Sequence, residues 1–381
     1  MMEVMKYLEM ATDIRQEKKI LHKMSDIIAI VFLATLANAD EWMAIEIFAK
    51  EHERFLRKFL ELPNGIPSHD TISRVMAIVS PEFLQKFKTL WNEMLNSGEG
   101  EKVKKILSID GKSQRGNANT NQSANHIVGA VDEDGFSLAE RCVDEKSNEI
   151  TAIPKLLDDF GIAGHVVTLD AMGCQKEITK KIRKKADYVI ALKGNQGNLH
   201  EDVKLYFNDP DLLAGCAYHK TTEKASSSIE IREYWQADDI SWLSQKSEWA
   251  GLKSIAMTRN TVTKNDTQSS ETRYFISSLS PDINLAAKAI RKHCPGRRLC
   301  LLLGYATKMV ESHHHHLDVT FREDANKILE KQASFNMSTI RRMALNVLKI
   351  FEAGEKSMSL KMKRFAIGTN PERHLENILN L

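Results

Sequence analysis

The sequence predicts a mixed α/β protein: a sheet with helices on its faces, preceded by an all-helical N-terminal domain and carrying a β-rich insertion. Three observations predict it. Residues 26–95 space their apolar side chains as helices do. Residues 103–192 pass from three short strands into a helix–strand–helix–strand alternation, and residues 206–280 are polar with strand-like pieces. The domains are accordingly 1–98 and 99–381, with the insertion at about 206–280.

In chain order, the apolar run 27–37 predicts a buried helix, and amphipathic stretches follow at 42–48 and 55–60. Pro67-Ser68-His69-Asp70-Thr71 precedes a periodic segment, 72–79, that suits the second helix of a helix-turn-helix. Ser80-Pro81-Glu82 supplies an N-cap, a first-position proline and a first-turn acid for a helix reaching residue 95. The polar break Asn96-Ser97-Gly98-Glu99-Gly100 marks the domain boundary. Strands are expected at 103–110, 126–131 and 136–143, with Asp134-Gly135 as a hairpin turn. Helix 148–160, strand 165–170, helix 175–185 and strand 188–192 complete the sheet. Within the insertion, strands are expected at 228–235, 252–258 and 273–278, and a last amphipathic helix at 337–351.

The chain has 381 residues, 42% hydrophobic and 27% charged, which excludes wholesale disorder and leaves room for two or three domains. Its longest apolar run is shorter than the ~20 residues a membrane helix needs, and a cytoplasmic protein is expected. Five cysteines without a Cys-x-x-Cys argue for reduced thiols. A net charge of +2 names no polyanion, yet residues 176–193 hold seven basic side chains against two acidic ones, and a second basic stretch spans 341–364. Such stretches either hold phosphates or form solvated helix faces.

Two aspartates occupy matching settings, Ile109-Asp110-Gly111 and Leu169-Asp170-Ala171, each read as ending an apolar strand. On neighbouring parallel strands their carboxylates meet at one sheet edge and can share a divalent cation. The plainer alternative is a turn or helix cap at each. Lys112 and Arg115 follow the first aspartate, the helix after the second carries Lys181, Lys184 and Lys185, and Lys193-Gly194-Asn195-Gln196 closes the last strand. Basic and amide groups around a carboxylate pair suit a phosphodiester substrate.

Long ordered motifs then carry a family resemblance: Ile109-Asp110-Gly111-Lys112, Asp144-Glu145-Lys146-Ser147-Asn148-Glu149-Ile150, Thr168-Leu169-Asp170-Ala171-Met172-Gly173-Cys174-Gln175, the run from Asp187 to Gln196, and Leu317-Asp318-Val319-Thr320-Phe321-Arg322-Glu323-Asp324. Together they resemble the bacterial insertion-sequence transposases of the H-repeat-associated group, over most of the chain. Pro67 to Thr71 resembles that family's associated helical domain. The resemblance implies a ribonuclease H-like catalytic core of the DDE type, two magnesium ions (manganese as the alternative) and double-stranded DNA, both transposon terminal repeats and target, bound by a homodimer. It implies in-line attack on phosphorus, first by water at the element's end and then by the freed 3′-hydroxyl on target DNA. Asp110 and Asp170 match the first two acids, and Lys112, Arg115, Lys181, Lys184, Lys185, Lys193 and Gln196 stand as DNA contacts.

The third acid departs from the pattern. The family places a Trp-x-x-Glu helix after the residues matching Arg291-Lys292-His293; here residues 294–316 differ from it, Pro295-Gly296 interrupts the helix, and Glu311 is the sole acid of the segment. Glu311 is therefore the candidate third catalytic and metal-binding carboxylate. A frameshift or small insertion would account for family-like sequence on both sides and none within. The alternative function is a catalytically inactive remnant that binds DNA only. A further reading takes His313 to His316, with His293, Cys294 and Cys300, as zinc ligands, although adjacent histidines cannot all face one ion. Ser226-Ser227-Ser228 also departs, standing where the family carries His-Gly-Arg before the residues matching Glu230 and Arg232.

Overall fold

The computed structural model describes residues 6–95, 104–120, 122–143, 148–225, 228–265, 267–293, 309–352 and 358–379; of Ala225 and residues 309–311 it describes the backbone alone. The predicted boundary at 96–100, the Ser226–Ser227 part of the insertion and residues 294–308, with Cys294 and Cys300, lie outside the described residues. Five helices come first: α1 Met24–Leu36, α2 Trp42–Glu51, α3 Glu53–Leu56, α4 His69–Met76 and α5 Pro81–Leu95. Then follow β1 Ile106–Gln114, β2 Asn125–Asp132, β3 Ser137–Cys142, α6 Glu149–Leu156, β4 Val166–Leu169, α7 Lys176–Arg183 and β5 Asp187–Leu192. The polar region gives α8 Asn198–Asn208, α9 Pro210–Ala214, β6 Ala217–Ala225, β7 Ser228–Ala237, β8 Ser254–Lys264 and β9 Thr267–Ser277. The chain closes with α10 Ile283–His293, α11 Met309–His315, α12 Lys331–Ile350, α13 Leu360–Thr369 and α14 Pro371–Leu379.

The nine strands of the described residues join one mixed sheet in the order β3-β2-β1-β4-β5-β9-β8-β7-β6. The crossover β1–β4–β5 is parallel, as helices α6 and α7 between them require, while every other pairing is antiparallel. The β-rich insertion thus extends the sheet, because β9 zips onto β5 from Val189↔Ser277 to Leu192↔Tyr274. One apolar layer, including Leu107, Ile109, Ile153, Ile182 and Ile190, fills the space between the sheet and α6 and α7.

The helical layer draws on both ends of the chain. Its core joins Ile27–Leu36 residues and Trp91 to Met337, Ile340, Leu345, Leu348 and Ile378. Helix α1 is buried on every side because it is apolar on every side. Helix α12 is equally buried despite its polar residues, and an amphipathic pattern there does not mean a wet face. Asn336 donates to the carbonyls of Met76 and Val79 at 2.8 and 2.9 Å, and Asn346 donates to Asn92 and Ser137 at 2.8 and 2.9 Å. Helix α4 is opened by Ser68, whose hydroxyl accepts from the Thr71 N–H at 3.4 Å, and is pinned to α2 where Glu46 accepts from the His69 N–H at 2.7 Å.

Three sequence expectations are corrected. Strand β1 does not end at Asp110; its antiparallel ladder with β2 continues to Gln114↔Asn125, after the parallel ladder with β4 has stopped at Ile109↔Leu169. Strand β6 was not foreseen, since its Ala-Tyr-His-Lys-Thr-Thr-Glu-Lys-Ala sequence lacks an apolar alternation and it lies at a sheet edge. Within the basic stretch 341–364, Arg341, Arg342, Lys363 and Arg364 form neither a solvated face nor a phosphate-binding one: they are 1%, 2%, 3% and 1% exposed. Arg364 donates to the Thr35 and Thr320 carbonyls and pairs with Asp40, while Arg342 pairs with Glu323. Among the described residues, no helix is long and apolar enough to cross a membrane.

Candidate active site

The parallel ladder sets the position of both aspartates. Ile109 and Leu169 are its last partners, and Asp110 and Asp170 are the next residues on strands about 4.8 Å apart. One step earlier, the Ser108 and Thr168 hydroxyls meet at 2.8 Å and are buried. Side chains alternate along a strand, so the two carboxylates emerge on the face that this hydroxyl pair occupies. The hydroxyls satisfy each other and hold the strand register beneath the acids.

The two acids raise the cost of each other's charge. Burial pushes the Asp110 carboxyl up to about 7 against the Gly111 N–H, and the charges of Asp170 and Glu149 push the same way. Burial also raises Asp170, with Glu149 adding to it and Lys193 opposing it. The Asp170 Oδ1 accepts from the Met172 and Gly173 N–H groups at 2.9 and 3.2 Å, so the turn-capping role is real, and it engages one oxygen of the carboxylate. Paired oxygen donors in which charge is undercompensated fit a hard divalent cation. Among the described residues, no three His, Cys, Asp or Glu side chains are gathered as a metal cluster.

Two residues that sequence reasoning passed over stand over Gly111, the residue after Asp110. Glu149, the first residue of α6, takes its Oε1 to 2.6 Å from His126 Nε2, and His126 Nδ1 lies 2.9 Å from the Ser113 hydroxyl. The local signal for Glu149 was an ordinary first-turn acid, which interacts with the helix dipole. Its hydrogen bond raises the His126 pKa.

The remaining predicted site residues separate into groups. Lys112 is 8% exposed and faces carboxylates, with its Nζ 2.7 Å from Asp318, 3.3 Å from Glu323 and 2.9 Å from Asp324. Arg115 is exposed just past β1, its N–H 3.4 Å from Asp324 Oδ1. Lys193 is exposed beside Asp170, whereas Gln196 donates to the Cys174 carbonyl at 2.6 Å and Asn195 to the Ala171 carbonyl at 2.8 Å, tying the loop after β5 to the loop after β4. Helix α7 runs back along the sheet, away from Asp170. Lys184 and Lys185, exposed at its far end, therefore stand by the start of β5, where the Lys185 carbonyl accepts from the Gly164 N–H at 2.9 Å. Lys181 pairs with Asp158 at 2.6 Å, and Lys176 and Arg183 pair with Glu248 and Asp187, so part of the 176–193 basic charge is compensated internally.

Glu311 belongs to α11, which packs on β1 and β2; its side chain lies outside the described ones. In the histidine run, His313 is 3% exposed with neither ring nitrogen partnered, and burial, then the charges of Arg342 and Lys349, hold its pKa well below the usual value. A π-helical turn, His316–Thr320, then leads to the Asp318–Asp324 carboxylates around Lys112.

A family profile described as "Transposase DDE domain" matches residues 101–274, and one described as "DDE_Tnp_1-associated" matches residues 5–92. The chain is 36% identical over 375 residues to "Putative transposase YncI" of Escherichia coli O157:H7, covering 95% of this chain and 91% of that one. It is 33% identical over 385 residues to "H repeat-associated putative transposase YhhI" of Escherichia coli K12, covering 97% and 96%. No solved structure matches the chain.

Proposed function

The chain belongs to the DDE transposase family, and from that premise we propose that it cuts insertion-sequence ends and joins them to target DNA by phosphoryl transfer at Asp110 and Asp170. One observation carries the proposal: the Ile109↔Leu169 register sets the two aspartates side by side on one face of the sheet. Family membership implies DNA as the partner, and domains of this type generally use divalent metals. Asp110 and Asp170 would hold magnesium, with Glu311 on α11 as the third acid that the resemblance implies. Bound there, the cation supplies Lewis-acid stabilisation of charge developing on the phosphoryl group.

The chain's own residues do the rest. The hydroxyl pair Ser108–Thr168 fixes the spacing of the acids, and the Asn195 and Gln196 amides hold the two strand-end loops together. Lys193 and Arg115 place positive charge at the rim, where neighbouring phosphates of a duplex would lie, and Lys184 and Lys185, at the far end of α7, would meet DNA away from the acids. Lys181 would join them when it leaves Asp158, and a homodimer on DNA would present two such surfaces.

The test is a cleavage assay with full-length protein, magnesium and DNA carrying the element's terminal repeats. The expected result is release of cleaved ends by the wild type and none by Asp110→Asn or Asp170→Asn. Cleavage surviving either change would remove that aspartate from the reaction. A mobility shift without cleavage by the wild type would favour the DNA-binding remnant.

A further inference from the structure

We infer that Arg322, in the turn after the π-helix, is a phosphate contact that works with Arg115 to hold the duplex beside the aspartates, an inference that rests on DNA being the substrate proposed above. Among the described residues, four that are not glycine adopt left-handed backbone: Asn38, Leu62, Asn265 and Arg322. Asparagine tolerates that conformation, and Leu62 is 1% exposed, so the core holds it there. Arg322 has neither reason. It is exposed at φ 51, where its Cβ crowds the following carbonyl oxygen and a glycine would not. Backbone strain of this kind gathers at ligand clamps and other functional positions.

The turn is fastened over the sheet face that carries Asp110. Lys112 and Gln114 follow Asp110 at two-residue steps along β1, so the three side chains leave the strand on one face. Both neighbours of Arg322 are anchored: Phe321 is fully buried with the Arg364 guanidinium 4.4 Å from its ring centre, and Glu323 lies 3.3 Å from Lys112 Nζ and accepts from Gln114 Nε2 at 3.4 Å. A chain that is buried, exposed and buried again over three residues leaves Arg322 as its projection into solvent. Gly116 brings Arg115 to the same turn, since a Cβ there would overlap the Asn326 carbonyl oxygen and stand 2.7 Å from that of Asp324. Lys112 and Arg342 take up the charge of Asp318, Glu323 and Asp324, and among the described residues neither the Arg115 nor the Arg322 side chain forms an ion pair. Arg115 lies about 17 Å along β1 from Asp110, at ~3.3 Å per residue, which is the length of roughly five base pairs. The two guanidinium groups therefore suit phosphates flanking the reacting one, and their forked N–H donors match phosphate oxygens.

The experiment is a fluorescence-anisotropy titration of the full-length protein with duplex DNA carrying the element's terminal repeat, at several salt concentrations, with urea unfolding of the same proteins. Arg322→Gly is expected to bind about tenfold more weakly. It should make the slope of log affinity against log salt shallower by about 0.9, and it should unfold at a urea midpoint no lower than that of the wild type, because glycine releases the left-handed strain. Arg322→Lys, which keeps the charge, should keep the slope. Where the wild type cleaves and Asp110→Asn does not, unchanged affinity and slope in Arg322→Gly overturn this inference and leave the proposed function standing. Weaker binding with an unchanged slope and a lower urea midpoint also overturns it, since that is the mark of a structural role. A shallower slope in a protein that binds without cleaving sustains the contact and overturns the proposed phosphoryl transfer. Absence of DNA binding by the wild type overturns both.

Discussion

Replacing Glu323 by Gln tests the junction that ties the catalytic strand to the helical layer. The Glu323 carboxylate is fully buried, accepts from Ser338 Oγ at 2.6 Å and Arg342 Nη1 at 3.1 Å, and lies 3.3 Å from Lys112 Nζ. Burial pushes its pKa up, but the positive charges of Arg342, Lys112 and Arg341 outweigh it and bring the value from 4.5 to about 2. At ~1.4 kcal/mol per pKa unit, that depression corresponds to about 3 kcal/mol of stability at neutral pH. Removing one partner of a buried ion pair costs ~3–5 kcal/mol by mutational precedent, so the two routes agree. A folded pKa below the unfolded one gives stability that is present above pH 4.5 and lost as pH falls through about 2. Urea unfolding at pH 7 should therefore show Glu323→Gln less stable by about 3 kcal/mol, with the gap falling to less than half by about pH 3. A gap under about 1 kcal/mol at pH 7, or one that does not shrink in acid, would refute the assignment of Glu323 as the counter-charge of this junction.

Lys112 and Lys193 should respond in opposite ways: Lys112→Met is expected to cost about 3 kcal/mol in urea unfolding, because Glu323 and its neighbours lose a buried partner. Lys193→Ala should leave stability unchanged and lower the slope of log affinity for DNA against log salt by about 0.9, as one lost phosphate contact does. The buried Lys88–Glu140 pair, joined by Ser137 at 2.8 Å from Lys88 Nζ, links α5 to β3. Lys88→Met alone should destabilise by ~3–5 kcal/mol, whereas Lys88→Met with Glu140→Leu should fall within about 1 kcal/mol of wild type or above it. Burial pulls the Lys88 pKa down to about 8. A Lys with a depressed folded pKa opposes folding once charged, so part of the wild-type stability should be lost as pH falls from above 10.5 through about 8, and the double variant should lack that loss.

Much of the scaffold could be read from local sequence because local physics decides it. Ser80-Pro81-Glu82 opens α5, Asp134-Gly135 turns β2 into β3 with Gly135 at φ 81, and the apolar runs before Asp110 and Asp170 form strands. The adjacency of the two aspartates is a tertiary outcome, because α6 carries the chain from the edge strand β3 back across β2 to lay β4 beside β1. The family followed from the order of several long motifs.

What the tertiary structure decided was the environment of each charged group. Lys112 is as basic in sequence as Lys193, yet it is enclosed by acids some 206 to 212 positions away (Asp318 to Asp324), whereas Lys193 faces solvent. Arg341 and Arg364 look like a surface stretch until α12 and α13 pack against α1 and bury them. Glu149 reads as a helix-opening acid, and only the docking of α6 on β2 carries it over Gly111. Backbone preferences and apolar period act between near neighbours and are written in short stretches of sequence. Burial and electrostatic pairing act between segments that meet only after folding, so the sequence determined the apolar strands that lead into Asp110 and Asp170, and the packed chain decided where β1 ends, which charges face those acids and which ones hold it together.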